Sequence, residues 1–125
     1  MTDANRSASH QVFPFQRLDV YRFARELAAL VQRAAIRDAE LRDQATRAAI
    51  SVFLNLCEGL PDDRAAMRRK YFASAYGSLH EVVGAVDLAA AIGAVAPERA
   101  GEILSLAARV GALVHGLSRA AGKGR

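Results

Sequence analysis

Apolar residues in this chain recur every three or four positions through four long segments, and nowhere do they follow the two-residue alternation of a half-buried strand. That period restricts the fold to helices packed on helices, and the three prolines, Pro14, Pro61 and Pro97, mark the breaks between periodic segments. Four helices follow. The first spans about 19–35, with Asp19 as its N-cap and Val20, Phe23, Ala24, Leu27, Ala28, Leu30 and Val31 at helical intervals. The second spans about 39–58, capped by Asp38, with Gly59 expected as a left-handed terminating residue before Pro61. The third begins near Asp62 and Asp63, which suit the positive end of a helix dipole, and runs to about Ile92, where Gly93 is the natural stop. Pro97 and Glu98 open the fourth, whose seam is expected along Ile103, Leu106, Val110, Leu113 and Leu117. Short connections force neighbouring helices to run antiparallel, so the expected fold is all-α, an up-down-up-down four-helix bundle.

A chain of 125 residues, 52% apolar and 24% charged, suits one such domain. The bundle is assigned to residues 16–121, with loosely held segments at 1–15 and 122–125. Arg and Asp interrupt every hydrophobic stretch, and the polar Met1–Ser9 lacks the apolar core of a secretory signal. The expectation is therefore a soluble, cytoplasmic protein without a membrane partner. A single cysteine, Cys57, excludes an intramolecular disulfide. Seventeen basic against thirteen acidic residues give a net charge of +4, a mild excess compatible with an acidic partner.

The second helix departs from simple amphipathicity. At 100° per residue, Ala45, Ala48, Val52 and Leu56 form one apolar stripe, and Ile50, Phe53, Leu54 and Cys57 form another on the far side. A small bundle needs one stripe per helix, so the second is read as an oligomer interface. Between the stripes lie Ser51, Asn55 and Glu58. Glu58 stands at the helix end that repels an anion, so a tertiary partner is expected for it. Ser78 and Glu81 on the third helix are the companions expected, with Arg47, Arg64 or Arg68 as counter-charge. This constellation reads as a polar lock on helix register, and its alternative is a paired-carboxylate acid/base site.

Gly77 and Gly84 each cost the third helix about 1 kcal/mol relative to alanine. With Ala73 and Ala91 they make a small-residue strip that would let another helix approach closely. Arg64, Arg68, Arg69 and Lys70 form the one basic cluster, which repeated around an oligomer would suit a phosphate backbone without reading its sequence. Ser51 and Ser78 have no histidine placed to activate them, and the positions three before His80 and His115 are Gly77 and Ala112, not the glutamates of a di-iron bundle. Paired cysteines, phosphate-loop lysines and dinucleotide glycine fingerprints are also missing from the sequence. No cofactor or metal is expected, and His10, His80 and His115 read as surface residues.

The stretch Leu41 to Gly59, with Ser51, Asn55, Glu58 and Gly59 spaced as Ser-x-x-x-Asn-x-x-Glu-Gly, resembles the signature of the bundle proteins named after intervening sequences of bacterial 23S ribosomal RNA genes. Tyr71 to Glu81, ending Gly77-Ser78-x-x-Glu81, is similar to the family's second motif, and Leu18 to Tyr21 to its usual opening. Cys57 and Val52 stand where the family more often has Ala and Ile. The resemblance covers about 15–117. It implies a cytoplasmic bacterial bundle, commonly a homopentamer, with no established enzymatic activity. A related branch comprises accessory proteins of diversity-generating retroelements, which bind nucleic acid and a reverse transcriptase; a reverse transcriptase partner would follow only for that branch, to which no feature of this sequence assigns it. The functional expectation is a non-enzymatic, oligomeric scaffold or an accessory protein associated with RNA or DNA. The alternative is a small hydrolase or metal-dependent enzyme using Glu58 and Glu81.

Overall fold

The computed structural model describes residues 13–123. A single 3-10 turn, Pro14–Arg17, leads into α1 (Asp19–Ala34), α2 (Ala39–Gly59), α3 (Ala65–Ala91) and α4 (Pro97–Lys123). No described residue lies in a strand. Contacts run from α1 to α2, α2 to α3, α3 to α4 and α4 back to α1, with none across the diagonals, so the antiparallel helices occupy the corners of a square. The core is aliphatic: Leu27, Val31, Val52, Leu56, Val82, Val86, Ile103, Val110 and Val114 are essentially inaccessible, and Phe72 is the one aromatic ring buried among them. The expected loose ends fall largely outside the described residues, as does His10; α4 itself continues to Lys123.

Local chemistry explains most helix ends and corrects three expectations. Asp38 caps α2 as expected, its Oδ1 accepting from the Leu41 N–H at 2.9 Å. Gly93 adopts φ +77° after α3, a left-handed conformation that suits glycine. Asp19, however, is the first helical residue and not the cap: Leu18 holds the N-cap position, and the Asp19 carboxylate pairs with Arg22. The third helix starts at Ala65, later than expected, because Asp62 turns the chain locally by accepting from the Arg64 N–H at 2.9 Å. Gly59 is helical and lacks a positive φ. Its small size is needed for packing: a Cβ there would lie 2.9 Å from Phe72 Cε1 and 3.0 Å from Tyr71 Cβ.

At the opposite end, the α1–α2 and α3–α4 connections are tied together. The Arg37 N–H donates to the Ala94 carbonyl at 2.8 Å, the Arg37 guanidinium reaches the Gly93 carbonyl, and Ile36 is buried beneath them. The seam of α4 also differs from expectation. Ala100, Ile103, Ala107, Val110, Val114 and Ala121 are buried, whereas Leu106 and Leu117 are half-buried and Leu113 is exposed. A nearly straight helix advances 3.6 residues per turn, so the buried row passes from the 106/113 positions to 107/114.

By length and composition, Pro97–Gly122 is the one described helix that could cross a membrane, with a hydropathy of 1.2 over its most apolar window. Glu98, Arg99, Glu102, Arg109 and Arg119 lie within it. In the bundle, Ile103, Ala107, Val110 and Val114 of this helix are buried in the core, where α4 packs against α3 and α1.

Candidate functional site

The polar residues singled out on α2 and α3 are brought together in part. Ser51 Oγ and Ser78 Oγ lie 2.8 Å apart across the α2–α3 contact, and the Asn55 side-chain amide donates to the Ser51 carbonyl at 2.9 Å and to Ser51 Oγ at 3.2 Å. All three side chains are half-buried. Hydroxyl-to-hydroxyl pairing at one level of two antiparallel helices fixes their relative register, because a shift of one residue would strand both groups against apolar neighbours. Gly59 belongs to the same contact, one helix end further along, where it admits Phe72 and Tyr71.

Glu58 and Glu81 are not part of this lock. Both are exposed, and neither makes an ion pair or hydrogen bond with a described residue. The expected partner for Glu58 is therefore corrected: the helix arithmetic places it near Ser51 and Asn55, but α3 at that level presents Tyr71 and Phe72 to Gly59, leaving the Glu58 side chain in water. The two carboxylates share no hydrogen bond with each other or with the Ser51–Asn55–Ser78 group.

The α2 C-terminus is instead satisfied by Arg68, whose Nη1 donates to the carbonyls of Leu60 at 2.9 Å, Asp62 at 3.2 Å and Gly59 at 3.3 Å. Its guanidinium lies 5.1 Å from the centroid of the Phe72 ring. Arg64 is engaged with Asp62 through Nε at 3.0 Å and Nη2 at 2.7 Å, and these hydrogen bonds hold the Asp62 carboxyl down at about 2. Arg69 Nη1 reaches the Ala121 carbonyl at 3.5 Å, and Lys70 Nζ sits 6.0 Å from the Tyr71 ring centroid. The basic cluster thus divides: Arg64 and Arg68 hold the α2–α3 connection, while Arg69 and Lys70 face solvent.

The second stripe of α2 is the other notable surface. Ile50 is 44% exposed and Leu54 54%, while Phe53 and Cys57 are half-buried. Phe53 is partly covered by Tyr21 of α1, ring centroids 5.1 Å apart. Burial, followed by the charge of Glu58, pushes the Cys57 thiol above its ordinary range. Gly77 and Gly84 have open space where a Cβ would project, and Ala73 and Ala91 are exposed. The small-residue strip therefore faces outward, and no described residue lies within 4 Å of where the Gly77 and Gly84 Cβ atoms would be.

Two histidines read from sequence as unrelated surface residues converge on one ring. Tyr76 lies 4.7 Å from His80 and 6.1 Å from His115, between ring centroids. His80 Nδ1 is 2.8 Å from the Tyr76 carbonyl oxygen, which can only accept, so that nitrogen carries a proton. The His80–Tyr76 spacing of four residues was visible in the sequence; the approach of His115 arises only from α3–α4 packing. Among the described residues, no group of three or more His, Cys, Asp or Glu side chains is placed to hold a metal ion.

No curated protein matches the chain. The family model described as 23S rRNA-intervening sequence protein matches residues 16–116, which include the whole of α1, α2 and α3 and most of α4. The matched span contains both ordered motifs, the Ser51–Asn55–Ser78 lock they build and the glycine on which α2 and α3 close, and the chain belongs to the 23S rRNA-intervening sequence protein family.

Proposed function

We propose that this protein is a non-enzymatic bundle that self-associates and serves as a scaffold in a larger assembly. The observation that carries the reading is the outward face of α2, where Ile50 and Leu54 stand in solvent beside a helix contact already fixed by its own polar lock. Adjacent exposed aliphatic side chains at the centre of a helix, flanked by Arg47 and Glu58, have the composition of an interface core within a polar rim. Self-association into a ring is the form supported by the family resemblance, which implies five copies. Light scattering tests it: the parent should exceed 13.4 kDa at micromolar concentration, and Leu54→Glu should return it to that mass with its helical circular dichroism retained. A monomeric parent would overturn the proposal.

Association with RNA or DNA is the second reading, favoured by Arg69 and Lys70, which project into solvent near the start of α3. Repeated in an oligomer, they would neutralise several phosphates at once, giving weak, sequence-independent affinity that falls steeply with salt. Arg69→Gln with Lys70→Gln should flatten that dependence without dissociating the protein. Arg64 and Arg68 are unsuitable for this test because their replacement would loosen the α2–α3 connection. Absence of binding to labelled single- and double-stranded RNA and DNA at low salt would leave the scaffold reading alone.

A further inference from the structure

We propose that the groove between α3 and α4 receives the α2 ridge of a second copy, making the self-association head to tail. The inference rests on the scaffold reading above and specifies which surfaces meet. The groove has a volume of about 660 Å³. Its walls are apolar, with Leu79, Val83 and Leu104, and α4 supplies a floor of small residues around Ala108 and Gly111. That floor is set as low as α3–α4 packing allows, since a Cβ at Gly111 would lie 3.2 Å from Leu79 Cδ2. Val83 is 39% exposed at the groove wall, an aliphatic surface that no described residue fully covers.

Charge order selects a second copy of this chain as the occupant. Along the ridge the sequence of groups is Arg47, Ile50, Leu54, Glu58; along the groove it is the Tyr76–His80–His115 cluster, then Val83, then Asp87. Arg47 to Glu58 and Tyr76 to Asp87 each span eleven positions, about 16 Å of helix. Laid antiparallel to α3, the ridge sets Ile50 and Leu54 over Val83 and Leu79, Arg47 beside Asp87, and Glu58 beside the imidazoles. Within one chain, Glu58 and Asp87 make no ion pair among the described residues, and the one hydrogen bond of the Arg47 guanidinium is a long 3.4 Å contact to Gln44. The pairing thus joins opposite charges, Arg47 and Asp87, at one end of an apolar centre and sets Glu58 against the imidazole rings at the other, whereas the reversed orientation would set Glu58 against Asp87, so charge fixes register and direction.

Ridge and groove lie on different faces of the same bundle, so each copy has one of each to offer. A contact between unlike surfaces repeats from copy to copy and closes into a ring when its rotation allows. An α2-to-α2 contact, by contrast, would be two-fold and would leave the groove unused.

A mixing experiment separates these geometries. Leu54→Glu disables the ridge, and Ala108→Trp fills the groove; each should raise the concentration for half-assembly roughly a hundredfold and give monomers by light scattering. Mixed in equal amounts, they should form a heterodimer of twice 13.4 kDa and no more, because one intact ridge meets one intact groove and the remaining pair is dead. In a second arm, Arg47→Glu and Asp87→Arg should each weaken assembly roughly tenfold, and the two combined in one chain should restore it. That recovery also serves if Ala108→Trp proves misfolded by circular dichroism. An oligomeric parent that persists in folded Ala108→Trp, or a charge swap that fails to recover, overturns the head-to-tail contact while leaving self-association intact. A monomeric parent overturns both.

Discussion

Alanine at three helical glycines should change stability in opposite directions, and the structure states which way each will go. At Gly59 the added Cβ would stand 2.9 Å from Phe72 Cε1, 3.2 Å from Phe72 Cδ1 and 3.0 Å from Tyr71 Cβ. The Tyr71 atom cannot rotate away, and the Phe72 ring is fully buried with the Arg68 guanidinium on its face. Overpacking of this kind costs about 1–3 kcal/mol, against a gain of about 0.5–1 kcal/mol from replacing glycine by alanine in a helix. Gly59→Ala should therefore lose about 1–2 kcal/mol, lowering Tm by about 4–8 °C for a chain of this length. At Gly77 and Gly84, both inside α3, a new Cβ meets nothing within 4 Å, so only the propensity gain remains. Each should stabilise by about 0.5–1 kcal/mol. Thermal unfolding followed by circular dichroism at one fixed protein concentration checks all three, since the proposed association would make Tm depend on concentration. A Gly59→Ala variant as stable as the parent would refute the close α2–α3 approach as the reason for that glycine.

Arg68→Ala should cost about 2 kcal/mol in chemical denaturation, because it removes charged hydrogen bonds to three carbonyls and the stacking on Phe72 together. Asp62 makes a pH prediction: with its carboxyl held down at about 2, its pairing with Arg64 favours the fold fully above the ordinary carboxylate range and is lost as pH falls towards 2. The Tm difference between the parent and Asp62→Asn should accordingly be constant above about pH 5 and shrink below it; a difference independent of pH would refute the pairing. Cys57 should alkylate more slowly than a free thiol near neutral pH, and faster in Glu58→Gln, since burial and the neighbouring carboxylate both disfavour its thiolate. Glu58→Ala should change the fold stability of the dissociated chain by less than about 0.5 kcal/mol, because within one chain the carboxylate is exposed and accepts no hydrogen bond from a described residue.

The helices could be read from sequence because their signal is repeated many times over. A stripe such as Val20, Ala24, Leu27 and Val31 states its period four times, and all four residues are buried. Helix ends carry no such redundancy. Asp38 and Gly93 behave as their local chemistry dictates; Asp19 and Gly59 do not, because other residues supply their expected functions, and Asp62 turns the chain ahead of α3. Leu18 took the α1 cap position, and Arg68, nine positions beyond Gly59, reached back to the α2 carbonyls. A guanidinium acting over that distance has the same sequence appearance as one waiting for a phosphate, so in sequence Arg68 falls in with Arg69 and Lys70.

The site shows the same division between repeated and singular information. Two apolar stripes on one helix are a pattern, and the exposure of Ile50 and Leu54 follows from it: a corner helix in a square bundle can bury one stripe only. The Ser51–Ser78 contact was accessible for a related reason, since each residue lies between an apolar stripe and a polar face on helices that must run antiparallel. Glu58 satisfies the same angular argument and still points into water, because 100° per residue locates a side chain on its own helix and says nothing of what the neighbouring helix presents at that height. On α3 that neighbour is an aromatic pair filling the space above Gly59. The α3–α4 groove lies further from sequence reasoning. Its floor is made of alanine and glycine, whose small size is a property of what is missing from a surface, and its depth exists only once Leu79 and Val83 on one helix stand beside Ala108 and Gly111 on another. A ridge announces itself through its own side chains, whereas a groove is a relation between two helices, and so only the ridge was readable before the helices were placed.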